Sequence, residues 1–251
     1  MKKSALVLMA ASVGLLVACS DLNETDFYEK TVDGNLVEQV IFEAPVIRFL
    51  EDDIETRASL SQEGNNDIQF SWEATDTVGV YPDKGSQVFF ETVDGVGTNV
   101  AHFDGGGWAL RENSTYSAYY PFVCNMKLDR NAIPVSFTGQ EQTGVSNYSG
   151  VRFYLASQGT SSSTGSLRFK FLMLNTVFRL KAYDLPAGSY SKLSITTDDP
   201  LFVQQGTFGL DDLTIKGKTY SNTLEISLKD FKLTETSTTQ NPVLFYLTAA
   251  P

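Results

Sequence analysis

Apolar residues from Gln39 onward alternate with polar ones or occur in short runs, and Gly, Asp, Asn, Ser and Pro interrupt them at close intervals. This spacing is typical of short β-strands joined by turns, and the spacing of an amphipathic helix is nearly absent. Regular short strands of this kind predict an all-β protein built of β-sandwiches. The best strand candidates are 40–49, 68–71, 78–81, 88–92, 101–103, 116–120, 135–138, 152–156, 167–171, 177–183, 192–197, 203–208, 223–227 and 243–247.

Small polar residues fill the stretch 157–166, which has no side chains suited to a core. We therefore expect an N-terminal β-sandwich over residues 58–157, a linker over 158–166 and a C-terminal β-sandwich over 167–251. The last strand candidate lies close to Pro251, which leaves open whether Pro251 is the natural C-terminus and whether the second sandwich is complete.

The first residues form a separate segment, in which Lys2 and Lys3 precede an apolar run from residue 5 to 17. The run is shorter than the roughly 20 residues that span a membrane, so it predicts a secretory signal peptide. Leu16-Val17-Ala18-Cys19 resembles the lipobox of bacterial lipoproteins. The resemblance implies removal of residues 1–18 and acylation of Cys19, where each buried CH₂ contributes about 0.8 kcal/mol of membrane binding. An ordinary signal peptide followed by a chance cysteine is the alternative.

Residues 20–26 are acidic and lack apolar periodicity, which is typical of a flexible tether. The stretch also resembles the surface-export signal of lipoproteins from some Gram-negative anaerobes, although a solvated linker has the same composition. We therefore interpret residues 19–57 as an acidic tether followed by a strand segment.

Composition narrows the function classes. The 251 residues contain 19 Lys+Arg and 30 Asp+Glu, a net charge of −11, which disfavours nucleic acid as a partner. A single histidine, His102, and two cysteines leave few ways to build a zinc site or a Cys-His nucleophile pair. Adjacent carboxylates such as Asp198-Asp199 lack the spacing of an EF-hand. We predict no metal, no cofactor and no catalytic residue, and a carboxylate-based glycosidase is the least favoured reading.

Several motifs follow one another in an order that resembles the fimbrillin family, the subunits of type V pili. After the lipobox come Thr56-Arg57, the segments 70–81 (FSWEATDTVGVY) and 116–121 (YSAYYP), and then 133–142 (IPVSFTGQEQ). A Phe-x-His pattern that often opens the family's second domain is absent, since residues 167–173 read LRFKFLM. The resemblance implies two transthyretin-like β-sandwich domains in a structural subunit of a fimbria at the cell surface or outer membrane. The implied partners are other pilus subunits, and a glycan or protein on a host or bacterial surface as adhesion target.

The resemblance further implies that an arginine-specific protease cuts between Arg57 and Ala58. Loss of residues 1–57 removes 5 Lys+Arg and 11 Asp+Glu, leaving 14 − 19 = −5, and it removes the apolar strand candidate 40–49. A sheet that loses a strand has unpaired backbone groups, which a strand from the next subunit can fill by donor-strand exchange. Arg48 is a weaker processing candidate because it lies within the apolar run.

Two other functions are alternatives to that of a polymerising subunit. Arg57 can be an uncut loop residue of a surface lipoprotein that acts as a pilus anchor. The protein can also be a tip adhesin, or bind glycans through Trp108 and the tyrosines of 116–120. For those tyrosines burial in the core is the favoured interpretation, and Gly79 is expected to permit close packing.

Overall fold

The computed structural model describes residues 28–29, 36–48, 67–125, 127–145, 147–160 and 165–251. All the elements of regular secondary structure that are assigned within these residues are β-strands, which confirms the predicted all-β class. Within the same residues, no helix is long and apolar enough to cross a membrane. In chain order the strands are Tyr28–Glu29 (β1), Gln39–Glu43 (β2), Val46–Arg48 (β3), Asp67–Gln69 (β4), Thr77–Pro82 (β5), Val88–Asp94 (β6), Val100–Asp104 (β7), Trp108–Ala109 (β8), Thr115–Tyr120 (β9), Ile133–Ser136 (β10), Gln140–Thr143 (β11), Asn147–Gly150 (β12), Leu155–Thr160 (β13), Ser166–Lys170 (β14), Leu172–Met173 (β15), Thr176–Ala182 (β16), Gly188–Thr196 (β17), Phe202–Phe208 (β18), Ile215–Ser221 (β19), Thr223–Leu233 (β20) and Val243–Ala249 (β21).

The largest sheet has eight strands in the order β14-β2-β7-β6-β5-β9-β13-β15. Its neighbours are antiparallel except for β14 and β2, which run parallel. The other sheets have the orders β12-β11-β20-β17, β10-β18-β19, β16-β21, β1-β8 and β3-β4. The described chain thus consists of one long sheet and several shorter ones packed on apolar clusters.

Apolar residues at alternate positions of the strands form the core of the long sheet. In β2, Val40 and Phe42 are buried while Gln39 is exposed, and the same alternation runs through β14. The sheet curls, so that Gly159 of β13 lies against the ring of Phe169 of β14. A Cβ atom at Gly159 would lie 3.2 Å from that ring, so a larger residue there would require the ring to shift by a few tenths of an ångström.

The short sheets have their own core, in which β20 alternates Leu224, Ile226 and Leu228 toward the interior. These residues share a cluster with Phe245 and Leu247 of β21. A further cluster joins Tyr81 and Tyr119 of the long sheet to strands β10 and β18. The two groups of sheets are therefore connected by packing.

Two buried glutamines close the outer edge of β21. The Gln140 side-chain amide donates to Thr248 O at 2.8 Å and accepts from Thr248 N at 2.8 Å. The Gln142 amide donates to Leu244 O at 3.1 Å and accepts from Tyr246 N at 3.3 Å. Both glutamines are at most 1% exposed, so their amides take the place of a neighbouring strand.

The sheet pairing differs from the predicted domain boundary at 158–166. Strands β14 and β15 lie in the predicted C-terminal range but pair in the long sheet, next to β2 and β13. Strands β10 and β11 lie in the predicted N-terminal range but pair with β18 and β20. The chain crosses between the sheet groups more than once, because strand partners are chosen by packing and not by order along the chain.

The structure confirms that the tyrosine-rich strand is buried and that Gly79 permits close packing. Tyr116 and Tyr119 are fully buried. A side chain at Gly79 would collide with the Tyr119 ring. These tyrosines are core residues, and their rings are not available as a glycan platform.

Candidate strand-exchange site

The predicted processing and lipidation residues, Cys19, Arg57 and Ala58, lie outside the described residues. The described part of the segment before Arg57 includes strands β1, β2 and β3. The predicted strand 40–49 is divided into β2 and β3 at Ala44-Pro45, since proline cannot donate to a ladder. Arg48, the weaker processing candidate, pairs with Asp67 in the β3-β4 ladder.

Strand β2 is hydrogen-bonded along both of its edges. On one side it runs parallel to β14, with Phe42 opposite Phe169. On the other side it runs antiparallel to β7, with Phe42 opposite Ala101. A strand that comes before Arg57 is therefore an interior member of a sheet whose other strands all follow Arg57.

Backbone contacts extend this pairing beyond the strand itself. Val37 N donates to Leu110 O at 2.8 Å, and Ala44 N donates to Asn99 O at 2.8 Å. The Asn99 side chain also donates to Ala44 O at 3.4 Å. The segment from Val37 to Ala44 is thus fixed at both ends as well as along its length.

An aromatic group surrounds the centre of β2. The Phe42 ring stacks on Phe169, with centroids 4.9 Å apart and planes 7° apart, and on Phe171 at 5.4 Å and 16°. It meets Phe103 edge-on at 4.7 Å and 75°. Phe103 in turn contacts Trp72 edge-on at 5.1 Å. Such ring pairs contribute about 0.5–1.5 kcal/mol each beyond the burial of their area.

The outward face of β2 makes weaker contacts. Glu43 Oε2 lies 3.3 Å from Arg168 Nη1, and their side chains are 31% and 52% exposed. An exposed ion pair of this kind contributes at most about 1 kcal/mol because solvent screens it. Most of the stabilisation of β2 therefore comes from its inward residues and its two ladders.

This arrangement can bind an extended strand. If β2 were taken away, the facing edges of β7 and β14 would lose their hydrogen-bond partners, and Phe103, Phe169 and Phe171 would line an open groove. Strand β14 would lose its ladder altogether, because its pairing in the described sheet is with β2. Unpaired edges beside an apolar groove are the usual acceptor for an added strand.

A second concave surface lies over the outer face of β20. It measures about 300 Å³ and is lined by hydroxyl and amide groups together with Glu225. Glu225 is already paired with Lys192 at 2.9 Å, and the lining ring of Phe137 is 1% exposed. The surface is polar but offers no exposed ring for stacking on a sugar. Within the described residues, no group of three or more His, Cys, Asp or Glu is arranged to hold a metal ion.

The sequence predicts both β2 and β14 as strands but not their pairing. The alternation of Leu167, Phe169 and Phe171 correctly predicts a strand, and the predicted boundary places it in the other sandwich. The signal that could have linked the two segments is their shared aromatic character, with Phe42 in one and two phenylalanines in the other.

Comparison with known proteins gives a likeness of fold. No protein-family model matches the chain, and no curated protein matches it. Among solved structures, it is similar to a crystal structure from Bacteroides ovatus ATCC 8483 described as a "putative cell adhesion protein". The TM-score is 0.53 at 15% sequence identity, over 86% of this chain and 78% of that one. At this identity the likeness shows a shared fold over most of both chains, and the fimbrillin resemblance stays a prediction.

Proposed function

We propose that the protein is a structural subunit of a surface fimbria and not an enzyme. It is exported as a lipoprotein acylated at Cys19 and carried to the outer membrane. An arginine-specific protease cuts after Arg57, and subunits then assemble by donor-strand exchange. The fold shared with the Bacteroides ovatus structure described as a "putative cell adhesion protein" agrees with a role at the cell surface.

One observation carries the proposal. Strand β2 precedes Arg57 in the chain but occupies an interior position of the long sheet, between β7 and β14. Cleavage after Arg57 severs the covalent link between β2 and the rest of its sheet. Departure of β2 would leave one vacancy per subunit, and a strand from a neighbouring subunit can fill it. A contact between two unlike surfaces does not close on itself, so repetition produces a filament.

The uncleaved lipoprotein is the second candidate, and the packing of β2 favours it as well. With β2 in place the long sheet has no vacancy, so an uncut chain can remain at the membrane as a pilus anchor. A tip adhesin is a variant of this reading.

The test compares the full-length protein with an Arg57→Lys variant, which keeps the charge but removes the site of an arginine-specific protease. After protease treatment, N-terminal sequencing of the natural protein should give Ala58. A denaturing gel run without boiling should show a ladder of polymers. The Arg57→Lys protein should keep its N-terminal segment and stay monomeric. Material sheared from the surface that begins at acylated Cys19 would overturn the proposal and favour the anchor.

A further inference from the structure

We infer that the groove around β2 selects its incoming strand by an aromatic side chain at the position of Phe42. The inference rests on the proposed function, because it concerns the strand that replaces β2. The partner is an extended segment with an apolar residue, an aromatic residue and a small residue at alternate positions, matching Val40, Phe42 and Ala44.

The shape of the central pocket is the first argument. Phe42 is fully buried, stacks nearly parallel to Phe169 and Phe171, and meets Phe103 edge-on. A flat ring satisfies all three contacts at once. A branched aliphatic side chain can fill part of the volume but does not form the stacked pairs.

The flanking positions are the second argument. Val40 and Ala44 point to the same face as Phe42 and are 6% and 2% exposed. Ile41 and Glu43 point the other way and are only half-buried. Since side chains alternate along a strand, only every second residue of the partner is read by the groove.

Direction and charge complete the description of the partner. The incoming strand has to run parallel to β14 and antiparallel to β7, as β2 does. Asn99 contacts both backbone groups of Ala44, which marks the end of the site and fixes the register. Arg168 next to Glu43 favours a carboxylate, and disfavours a cation, directly after the aromatic residue.

The test uses the intact, uncleaved chain carrying Phe42→Ala, which weakens its own β2. A fluorescent peptide with the sequence of residues 36–48 is added, and its affinity is measured by fluorescence anisotropy. We expect the peptide to bind this variant at least about 10-fold more tightly than it binds the natural chain, where β2 occupies the groove. If the variant does not fold alone, recovery of its folded circular dichroism signal on adding the peptide is the readout.

Matched peptides then test the selection. A Phe42→Ala peptide should bind about 100-fold more weakly than the natural one, and a Phe42→Leu peptide about 10-fold more weakly. An Ile41→Ala peptide, altered on the outward face, should change affinity by less than about 3-fold. A Glu43→Lys peptide should lose about 2- to 5-fold, and less at high salt.

Equal binding of the Phe42→Leu and natural peptides would overturn aromatic selection. Failure of every peptide to bind or to restore the variant, or equal losses from Ile41→Ala and Phe42→Ala, would overturn the groove itself. These outcomes are separate from the proposed function, because no cleavage is involved. If protease-treated natural protein forms no filaments while the peptide ranking holds, polymerisation is wrong and the selectivity stands. Filaments without the ranking would show that assembly uses another surface.

Discussion

Strands β2 and β21 show two different ways in which a strand is held in this molecule. Strand β2 is bound by main-chain ladders on both edges, to β7 and β14. Strand β21 has a ladder to β16 on one edge and the side-chain amides of Gln140 and Gln142 on the other. Loss of β2 exposes two backbone edges, whereas the outer edge of β21 is already satisfied from within. If subunits assemble as proposed, an added strand would find unpaired backbone groups at the β2 site and an edge already bound by side-chain amides at β21.

Removing the ring at the centre of β2 should have the largest effect. Phe42→Ala is expected to lower the free energy of unfolding by about 3–5 kcal/mol, because it empties a buried aromatic pocket. Urea denaturation followed by tryptophan fluorescence measures the change. Leu172→Ala is the control, since Leu172 is 57% exposed and should cost within about 0.5 kcal/mol. A loss below about 1 kcal/mol for Phe42→Ala would show that β2 is not a main contributor to the core.

Loss of the side-chain amide contacts at β21 should have the second-largest effect on stability. Gln140→Met keeps the side-chain length but leaves Thr248 N–H and C=O without their partners, which should cost about 1–3 kcal/mol. Gln204→Met is the matched control, because Gln204 is only half-buried and its bond to Thr223 O is 3.4 Å. Chemical denaturation measures stability, and size-exclusion chromatography detects association through the opened edge. Equal losses in the two variants would contradict the capping role of Gln140.

The free energy of unfolding should fall as the pH rises from about 10 to 12. In this range a tyrosine with a raised pKa ionises in the unfolded chain but not in the folded one, and each such tyrosine lowers the free energy of unfolding by about 1.4 kcal/mol per pH unit. Burial raises the pKa of Tyr119 from 10.0 to about 12, and the hydrogen bond that Val123 N–H donates to the Tyr119 hydroxyl partly opposes this rise. The unfolded chain thus releases this proton first, and the folded state loses its advantage through that pH window. Burial also raises the pKa of Tyr81 and Tyr120.

The Tyr119→Phe variant should show a shallower alkaline slope in thermal unfolding measured across that range. Leu172→Ala, at an exposed residue that does not titrate, is the control and should leave the slope unchanged. An unchanged slope in Tyr119→Phe would mean that this hydroxyl does not control alkaline stability.

The ion pair on the outer face of β2 should have the smallest effect. Arg168→Glu places two carboxylates together and is expected to cost at most about 1 kcal/mol, decreasing in 1 M salt. The double variant Glu43→Lys with Arg168→Glu reverses the pair and should recover the loss. Thermal unfolding at low and high salt measures both. A larger, salt-independent loss would assign Arg168 a packing role.

The sequence was sufficient to predict the strands and, for β2, the buried face. Alternation at Val40 and Phe42 predicted a strand whose inward residues are indeed in the core, whereas β9 is buried on both faces, with Tyr116 on one and Tyr119 on the other. The all-β class follows from the same alternation, because burial of one face is a local property of each strand.

Pairing between distant strands could not be predicted in the same way. The parallel contact of β2 with β14 joins Phe42 to Phe169, and alternation specifies a face but not a neighbour. Gln140 and Gln142 were missed for a related reason. Polar residues at alternate positions are expected to face solvent, and only the structure shows that their amides bind a buried backbone edge.

The position of β2 also has a consequence for the order in which the molecule matures. The chain is made from its N-terminus, so residues 39–43 emerge early, while residues 100–104 and 166–170, which flank them, emerge much later. The place that β2 occupies does not exist until Lys170 has been synthesised. Until then β2 can pair only with β7 and lacks Phe169 against its central ring, and closing the loop from residue 43 to residue 166 is a slow, non-local step.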